Sequence, residues 1–258
     1  MIAAMGTRVG DATAAVLEFL GLFGRTLVYM ITPPYRIRDI IKQIQFIAYE
    51  SAPVVVFCLS FAAIVTIIEA SFHMKLIIHN DALVPGFASL LIIRELGAVV
   101  TALLVTSRVG AGLAAEVGSM QVTEQIDALK MLGIDPIRFL VVPRFVAGVI
   151  SGVVLTVVAT CICLYGAVIA SEMKLGYTAG HFIMAMRAFV HFNDLIQAMV
   201  KGAFFGAVIP LFSCFFGFRC RAGAEGVGLA TTNSVVATSI AVIIIDFVLS
   251  WIFSYLYI

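Results

Sequence analysis

Charged side chains are scarce in this sequence. Asp, Glu, Lys and Arg make up 12% of its 258 residues, whereas hydrophobic residues make up 62%. A soluble fold of this length could not bury so much apolar surface. The composition therefore excludes an ordinary soluble domain and predicts a polytopic membrane protein.

Other absences narrow the function class. The net charge is +1 and no basic run is long enough to hold phosphates, so we expect no nucleic-acid partner. The five cysteines are an odd number and three lie in apolar runs, which favours free thiols over a disulfide framework. The N-terminus has none of the marks of a signal peptide, so we expect no segment to be removed.

Five apolar runs are each long enough for the roughly 20 residues that a tilted membrane-spanning helix needs. They cover residues 52–70, 88–117, 145–170, 196–218 and 235–257. Residues 12–31 are also apolar, but Asp11, Glu18 and Arg25 recur every seven residues and place a polar stripe on one face. We therefore predict an N-terminal interfacial amphipathic helix, ended by Pro33-Pro34, before the five spans. A sixth span over 12–31 is the alternative.

Basic residues concentrate on one side of the five predicted spans. That side carries Arg36, Arg38, Lys42, Lys130, Arg138, Arg144, Arg219 and Arg221. The opposite loops carry Lys75, Lys174 and Arg187. By the positive-inside rule, we expect the N-terminus and the connections over 118–144 and 219–234 to be cytoplasmic.

Small residues recur at four-residue spacing in three spans. The sets are Gly110, Ala114 and Gly118; Gly148 and Gly152; and Gly202 and Gly206. Such stripes let helix backbones approach closely, so they predict tight packing within the chain, with a dimer contact as the alternative.

The charges inside the spans favour a transport pathway. Arg94 and Glu95 are adjacent and point about 100° apart on a helix, so each needs its own partner. Glu95 could pair with a basic group on a neighbouring helix, while Arg94 could reach the outer headgroups or hold an anionic substrate. We predict that both residues bind substrate, because ionisable groups in spans tend to mark pathways.

Three more charges are assigned to an intramembrane charge network. These are Arg108, Glu116 and Asp246. The alternative for Arg108 is an ion pair that fixes helix register.

A short amphipathic helix is predicted over 123–132, between the second and third spans. Thr123 is a candidate N-cap, and Gly133 suits the position after the last turn. An apolar stripe and a charged stripe follow at three-residue spacing: Ile126, Leu129 and Leu132, against Glu124, Asp127 and Lys130. One face would rest on the bundle while the other meets a partner. The alternative is a helix that floats at the lipid surface.

A dense run of motifs over about 94–144 resembles the MlaE (YrbE) permease family. The motifs are Arg94-Glu-Leu-Gly97, Thr101-Ala-Leu-Leu104, Arg108-Val-Gly110, Ala114-Ala-Glu116, Thr123-Glu-Gln-Ile-Asp-Ala-Leu129, Gly133-Ile-Asp-Pro136 and Val142-Pro-Arg144. A Gly/Thr/Asn-rich loop over 223–233, before the last span, agrees with the same family.

The resemblance implies a single permease domain over 1–258 and a homodimer in the bacterial inner membrane. It implies phospholipid transport between that membrane and an MCE-protein tunnel, maintaining outer-membrane lipid asymmetry or importing lipid. The implied partners are an MlaF-like ATPase, an MlaD-like MCE protein, usually a hexamer, and often an MlaB-like STAS protein. The 123–132 segment becomes a coupling helix on the ATPase, with Glu124, Ile126, Asp127, Leu129 and Lys130 as its coupling residues.

The chain contains no Gly-x-x-x-x-Gly-Lys-Ser/Thr phosphate loop, so we expect ATP and Mg to be bound by the partner. We predict no catalytic residue, metal site or cofactor in this chain. An ion-coupled secondary transporter using Glu95, Glu116 or Asp246 is one alternative, although no inverted repeat supports it. An integral membrane enzyme is another, and its candidate residues are His73, His79, His181 and His191, which form no known hydrolase motif.

Overall fold

The computed structural model describes residues 2–32, 36–77, 83–221 and 223–256, with the backbone alone for 2–12 and 75–77. Within these ranges the chain forms nine helices and no strand, which confirms the all-α class. They are α1 (Ile2–Ile31), α2 (Ile37–Ile44, continued by a π-helical segment, Gln45–Tyr49), α3 (Ala52–Ile77), α4 (Val84–Val122), α5 (Gln125–Met131), α6 (Ile137–Leu175), α7 (Ala179–Phe189), α8 (Phe192–Phe218) and α9 (Ala224–Leu256). The predicted stop at Pro33-Pro34 and His79 lie outside the described residues.

Six helical stretches are long and apolar enough to cross a membrane. Five of them match the predicted spans and begin before them, and the last residue of the predicted span over 235–257 lies outside the described residues. The sixth is Thr13–Ile31 in α1. Two shorter helices, α2 and α7, were not predicted, because each is brief and amphipathic and adds no separate apolar run.

The predicted loop over 223–233 is wrong, since α9 begins at Ala224. Gly and Thr are weak helix formers, but packing overrides that preference here. Ala230 and Ser234 are buried, and the Thr231 and Thr232 hydroxyls donate hydrogen bonds to the Gly228 carbonyl at 2.7 and 3.0 Å.

Helix α1 makes polar contacts at the end of α8 and at the start of α6. Glu18 pairs with Arg219 after α8, at 3.6 Å. Just after the end of α1, the Thr32 carbonyl accepts a hydrogen bond at 3.2 Å from Arg138, at the start of α6. These contacts cover about 21 Å of helix length, and a crossing helix would need partners on both sides of the membrane over that distance. They favour the interfacial position over a sixth span, and that position remains a prediction.

Helices α6 and α8 cross where their glycines meet. A Cβ atom on Gly148 would overlap the Gly206 carbonyl oxygen, and one on Gly152 would overlap the Gly202 carbonyl oxygen. The backbones are therefore in direct contact, as the small-residue stripes predicted. The third stripe also packs within the chain, because Gly110 faces Ser213 and Ile209 of α8.

Helix α5 differs from its predicted form at both ends. It covers Gln125–Met131, and Thr123 caps the end of α4, where its hydroxyl donates to the Ser119 carbonyl at 2.8 Å. Glu124 takes the N-cap position with a φ of 60°, the one positive φ at a non-glycine residue among the described positions. Thr123 cannot cap α5, because α4 continues through Val122 and the reversal falls at Glu124.

The prediction that Gly133 ends α5 is confirmed, but the prediction that Leu132 belongs to its apolar stripe is wrong. Gly133 has a φ of 74°, and the Gly133 and Ile134 amides donate to the Lys130 and Leu129 carbonyls in a Schellman motif. Ile126 is buried, but Leu132 is 74% exposed because the chain has already left the helix there.

The glycine contact predicts a sharp difference between two glycines. Replacing Gly152 with Ala should lower the free energy of unfolding by about 1–3 kcal/mol, because a methyl group has no room against α8. Gly180→Ala is the control, since nothing lies within 4 Å of a Cβ there. Thermal unfolding in detergent measures both. Equal midpoints for the two variants would show that α6 and α8 do not touch at Gly152.

Candidate functional site

A buried lysine lies at the centre of the site. Lys201 of α8 has no exposed surface, and its ammonium group lies 3.0 and 3.1 Å from the Glu95 carboxylate oxygens. The same group donates to the Arg94 carbonyl at 3.0 Å and lies 2.7 Å from Asp246 Oδ1 of α9. A desolvated ammonium needs such partners, and these tie α4, α8 and α9 together.

The contact with Asp246 is an ion pair without hydrogen-bond alignment. Asp246 Oδ1 is buried and receives no hydrogen bond, despite its 2.7 Å distance to Lys201 Nζ. Coulomb attraction depends little on angle, so the two charges still attract each other although Asp246 Oδ1 accepts no hydrogen bond.

A second ion pair holds Arg94. Its Nε and Nη2 atoms lie 2.8 and 2.6 Å from Asp194 Oδ1, at the start of α8. Asp194 is buried, and its other oxygen accepts the His191 backbone amide at 2.8 Å, which caps α8. The carboxylate therefore serves a helix cap and an intramembrane arginine at once.

The local backbone explains why neighbouring charges reach different partners. Arg94 and Glu95 lie in a π-helical stretch, Ile92–Val100, whose wider turns are common at functional sites. The prediction that each charge needs its own partner is confirmed. Glu95 pairs with a base on a neighbouring helix as expected. For Arg94, neither predicted role names the carboxylate that it contacts.

The two charged side chains reach the surface while their partners do not. The exposed fractions are 37% for the Arg94 side chain and 43% for Glu95, against 1% for Asp194 and zero for Lys201. The site thus presents one cation and one anion side by side on a fixed base. Just below lies an apolar cluster of Ala98, Ala102, Phe205 and Val242.

The three residues assigned to one charge network have separate partners. Arg108 Nη2 lies 2.8 Å from Glu50, and its Nη1 donates to the Ser51 hydroxyl at 2.8 Å. Glu116 pairs with Arg144 of α6 at 2.7 Å. Asp246 belongs to the Lys201 cluster. For Arg108 the geometry is that of the register-fixing alternative.

Sequence reasoning missed three partners in this arrangement. Asp194 and Glu50 lie just beyond apolar runs, and Arg144 was grouped with the cytoplasmic flank. One signal was available, because Lys201 is a lone cation in an apolar run and requires carboxylates nearby.

The histidines of the enzyme alternative make local contacts where the structure describes them. His73 Nδ1 lies 2.9 Å from the Glu69 carbonyl oxygen, and the His181 ring stacks on Tyr177 at a centroid distance of 5.2 Å. His191 caps α8.

Comparison with known proteins identifies the family. The family model described as Permease MlaE matches residues 40–252. This chain belongs to the MlaE permease family. The resemblance of its signature motifs is thereby confirmed, and the matched region includes the whole charged site.

The similar proteins include bacterial permeases and one chloroplast protein. The chain is 32% identical to a "Probable ABC transporter permease protein" of Rickettsia bellii, over 98% of this chain and 99% of that one. It is 38% identical to the "Intermembrane phospholipid transport system permease protein MlaE" of Haemophilus influenzae, over 63% and 62%. It is 36% identical to "Protein TRIGALACTOSYLDIACYLGLYCEROL 1, chloroplastic" of Arabidopsis thaliana, over 64% and 47%.

The buried lysine leads to a stability prediction for this MlaE-family chain. Lys201→Met should lower the free energy of unfolding by about 3–5 kcal/mol, because Glu95 and Asp246 lose their counter-ion. Lys130→Met is the control, since Lys130 pairs with Asp127 in solvent and such pairs contribute at most about 1 kcal/mol. Unfolding followed by intrinsic fluorescence in mixed micelles compares the two. A loss no larger for Lys201→Met than for the control contradicts the buried ion cluster.

Proposed function

We propose that this chain is the permease subunit of an ABC transporter that moves phospholipid between the bacterial inner membrane and an MCE-protein tunnel. The names of the Rickettsia and Haemophilus relatives support the transporter class and the cargo. The observation that carries the proposal is the exposed pair of Arg94 and Glu95, held from below by buried Asp194 and Lys201.

This pair suits a zwitterionic headgroup. A lipid phosphate would face the Arg94 guanidinium, whereas a lipid amine would face the Glu95 carboxylate. The buried partners hold both groups in place, so little ordering is needed on binding. The apolar cluster below the charges would contact the acyl chains.

A second copy of the chain would complete the cargo cavity. In the most apolar 18-residue segment of α9, only 17% of the residues are buried, against 56% in the corresponding segment of α8. Its outward side carries large apolar residues, namely Val236, Ile240, Ile243, Ile244, Phe247 and Trp251. We infer a homodimer in which this face of α9 borders the cavity between the two copies.

Helix α5 would be the coupling helix. Ile126 is buried in the cytoplasmic core, and Leu129 packs against the same cluster. Glu124, Asp127 and Lys130 point to solvent beside Met131, which is 90% exposed. An MlaF-like ATPase docked there would bind ATP and Mg and move α5, and therefore α4, on nucleotide closure.

The remaining assignments follow from the same transporter class. An MlaD-like MCE protein, usually a hexamer, would receive or deliver lipid on the outer side, and an MlaB-like STAS protein would join the ATPase. The chain would lie in the inner membrane with a cytoplasmic N-terminus. Transport would maintain outer-membrane lipid asymmetry or import lipid.

The docking role of α5 gives a direct prediction. Reversing both acids, Glu124→Lys with Asp127→Lys, should weaken ATPase binding by at least about tenfold, because misplaced charge at an interface costs several kcal/mol. Co-purification of the ATPase with the tagged permease measures the loss. Glu225→Lys is the control, since it reverses an exposed acid on the same side outside α5.

Two results would count against this function. Full recovery of the ATPase with the double variant would contradict the docking role of α5. Movement of phospholipid by the isolated chain in liposomes without ATP would contradict the ABC mechanism itself and favour an ion-coupled transporter.

A further inference from the structure

A groove on the cytoplasmic side has no role in the cargo pathway described above. It lies between α1, α2 and the start of α6 and has a volume of about 330 Å³. Its lining includes Tyr29, Arg36, Ile40, Arg138, Phe139 and Val142. The groove therefore combines two arginines with an apolar floor.

The two arginines are held in place by their surroundings. The Arg36 guanidinium lies over the Phe139 ring, 3.9 Å from its centroid, and its Nε contacts Asp39 at 2.8 Å. The Arg138 guanidinium lies 6.0 Å from the Tyr29 ring centroid and donates to the Thr32 carbonyl at 3.2 Å. Arginines that stack on aromatic rings stay charged and keep their planar donors oriented.

One carboxylate in the groove is neutralised by its own neighbours. Asp135 accepts hydrogen bonds from Arg25 at 2.6 Å, from Tyr29 at 2.7 Å and from the Ile137 amide at 2.9 Å. Partial burial alone would raise the pKa of Asp135, but the Tyr29 and Ile137 hydrogen bonds and the Arg25 charge together lower it. Asp135 is thus a permanent anion matched by Arg25.

Cations outnumber carboxylates around the groove. Arg38 and Lys42 are exposed on α2. The carboxylates near them are Asp39 and Asp135, and each already has an arginine partner. The surplus positive charge faces the cytoplasmic leaflet, whose anionic lipids attract such clusters.

The order of residues with depth matches a phospholipid better than a free anion. Helices α2 and α6 both enter the bundle from the cytoplasmic side. On α2, Arg36 is followed four residues later by Ile40. On α6, Arg138 is followed by Val142 and then Val146, and all of these residues line the groove. Each four-residue step is about 6 Å, so charge lies at headgroup depth with aliphatic surface beneath it.

We propose that this groove binds one anionic phospholipid of the cytoplasmic leaflet, with its phosphate between Arg36 and Arg138. One acyl chain lies along Ile40, Val142 and Val146. This lipid is a bound ligand and not cargo, because the groove opens at the opposite end of the bundle from Arg94 and Glu95. Gly133 and Ile134, which follow α5, also line the groove, so the lipid stabilises the turn between α5 and α6.

Native mass spectrometry of the purified chain tests this site without the ATPase or transport. The probes are dioleoyl-phosphatidylglycerol and dioleoyl-phosphatidylcholine, added to detergent micelles. We expect the wild type to retain one phosphatidylglycerol that Arg36→Gln with Arg138→Gln loses, with affinity falling at least about tenfold for the lost charged hydrogen bonds. Phosphatidylcholine carries the same phosphate but no net charge, so it should bind the wild type more weakly than phosphatidylglycerol does.

Thermal unfolding supplies a second measurement and the controls. Phosphatidylglycerol should raise the midpoint of the wild type and of Lys174→Gln with Arg187→Gln, a pair of outer-side charge changes, but not that of the groove variant. If the double groove variant does not fold, Arg36→Gln and Arg138→Gln are measured singly. Loss of cargo lipid in a Lys201 variant should leave this effect intact, which separates the two sites.

Two outcomes would overturn the proposal. Equal retention of phosphatidylglycerol by the wild type and the folded groove variants would mean that the arginines bind no lipid. An equal rise of the midpoint with inorganic phosphate would mean that the groove takes a free anion and that its aliphatic floor is irrelevant.

Discussion

The structure depends most on the burial of one ammonium group inside an apolar bundle. Desolvating Lys201 costs several kcal/mol, and that cost is offset only where Glu95, Asp246 and the Arg94 carbonyl surround it. The requirement fixes α4, α8 and α9 relative to one another in this half of the bundle. It also fixes Glu95 and, through the adjacent Arg94–Asp194 pair, the charged surface offered to a ligand. In the proposed function, structural ion pairing and cargo recognition share the same atoms.

Helix α4 joins this cluster to the opposite end of the bundle. It is continuous from Val84 to Val122, and Glu95 lies about 40 Å from its C-terminal end. Along that length its charges contact different neighbours. These are the Lys201 cluster of α8 and α9, the turn before α3 through Arg108 and Glu50, and α6 through Glu116 and Arg144. Helix α5 follows immediately after Glu124. A partner that displaced α5 would therefore also move α4 and, through it, the Lys201 cluster. This is how the proposed coupling would work.

Much of this arrangement could be predicted from sequence where local geometry alone determines what a residue does. Adjacent charges in a span must diverge, glycines four residues apart must permit contact, and Gly133 must end α5; the structure shows all three. The predictions failed where a contact with a residue distant in sequence determines the structure. Asp194 gives no sign in sequence that it faces Arg94, 100 positions earlier. Thr123 looked like an N-cap until α4 proved to continue through Val122, and residues 223–233 looked like a loop until packing made them helical.

The most direct measurement is the amount of phospholipid that co-purifies with the complex when the charges of the central cluster are removed together. Glu95→Gln, Lys201→Met and Asp246→Asn in one chain leave no uncompensated charge, so the bundle should still fold and still bind its ATPase. The account predicts that lipid bound at this site falls about tenfold or more, in line with the loss of charged hydrogen bonds to a headgroup. Unchanged lipid content in a folded, ATPase-bound variant would contradict it and leave the cluster a purely structural device.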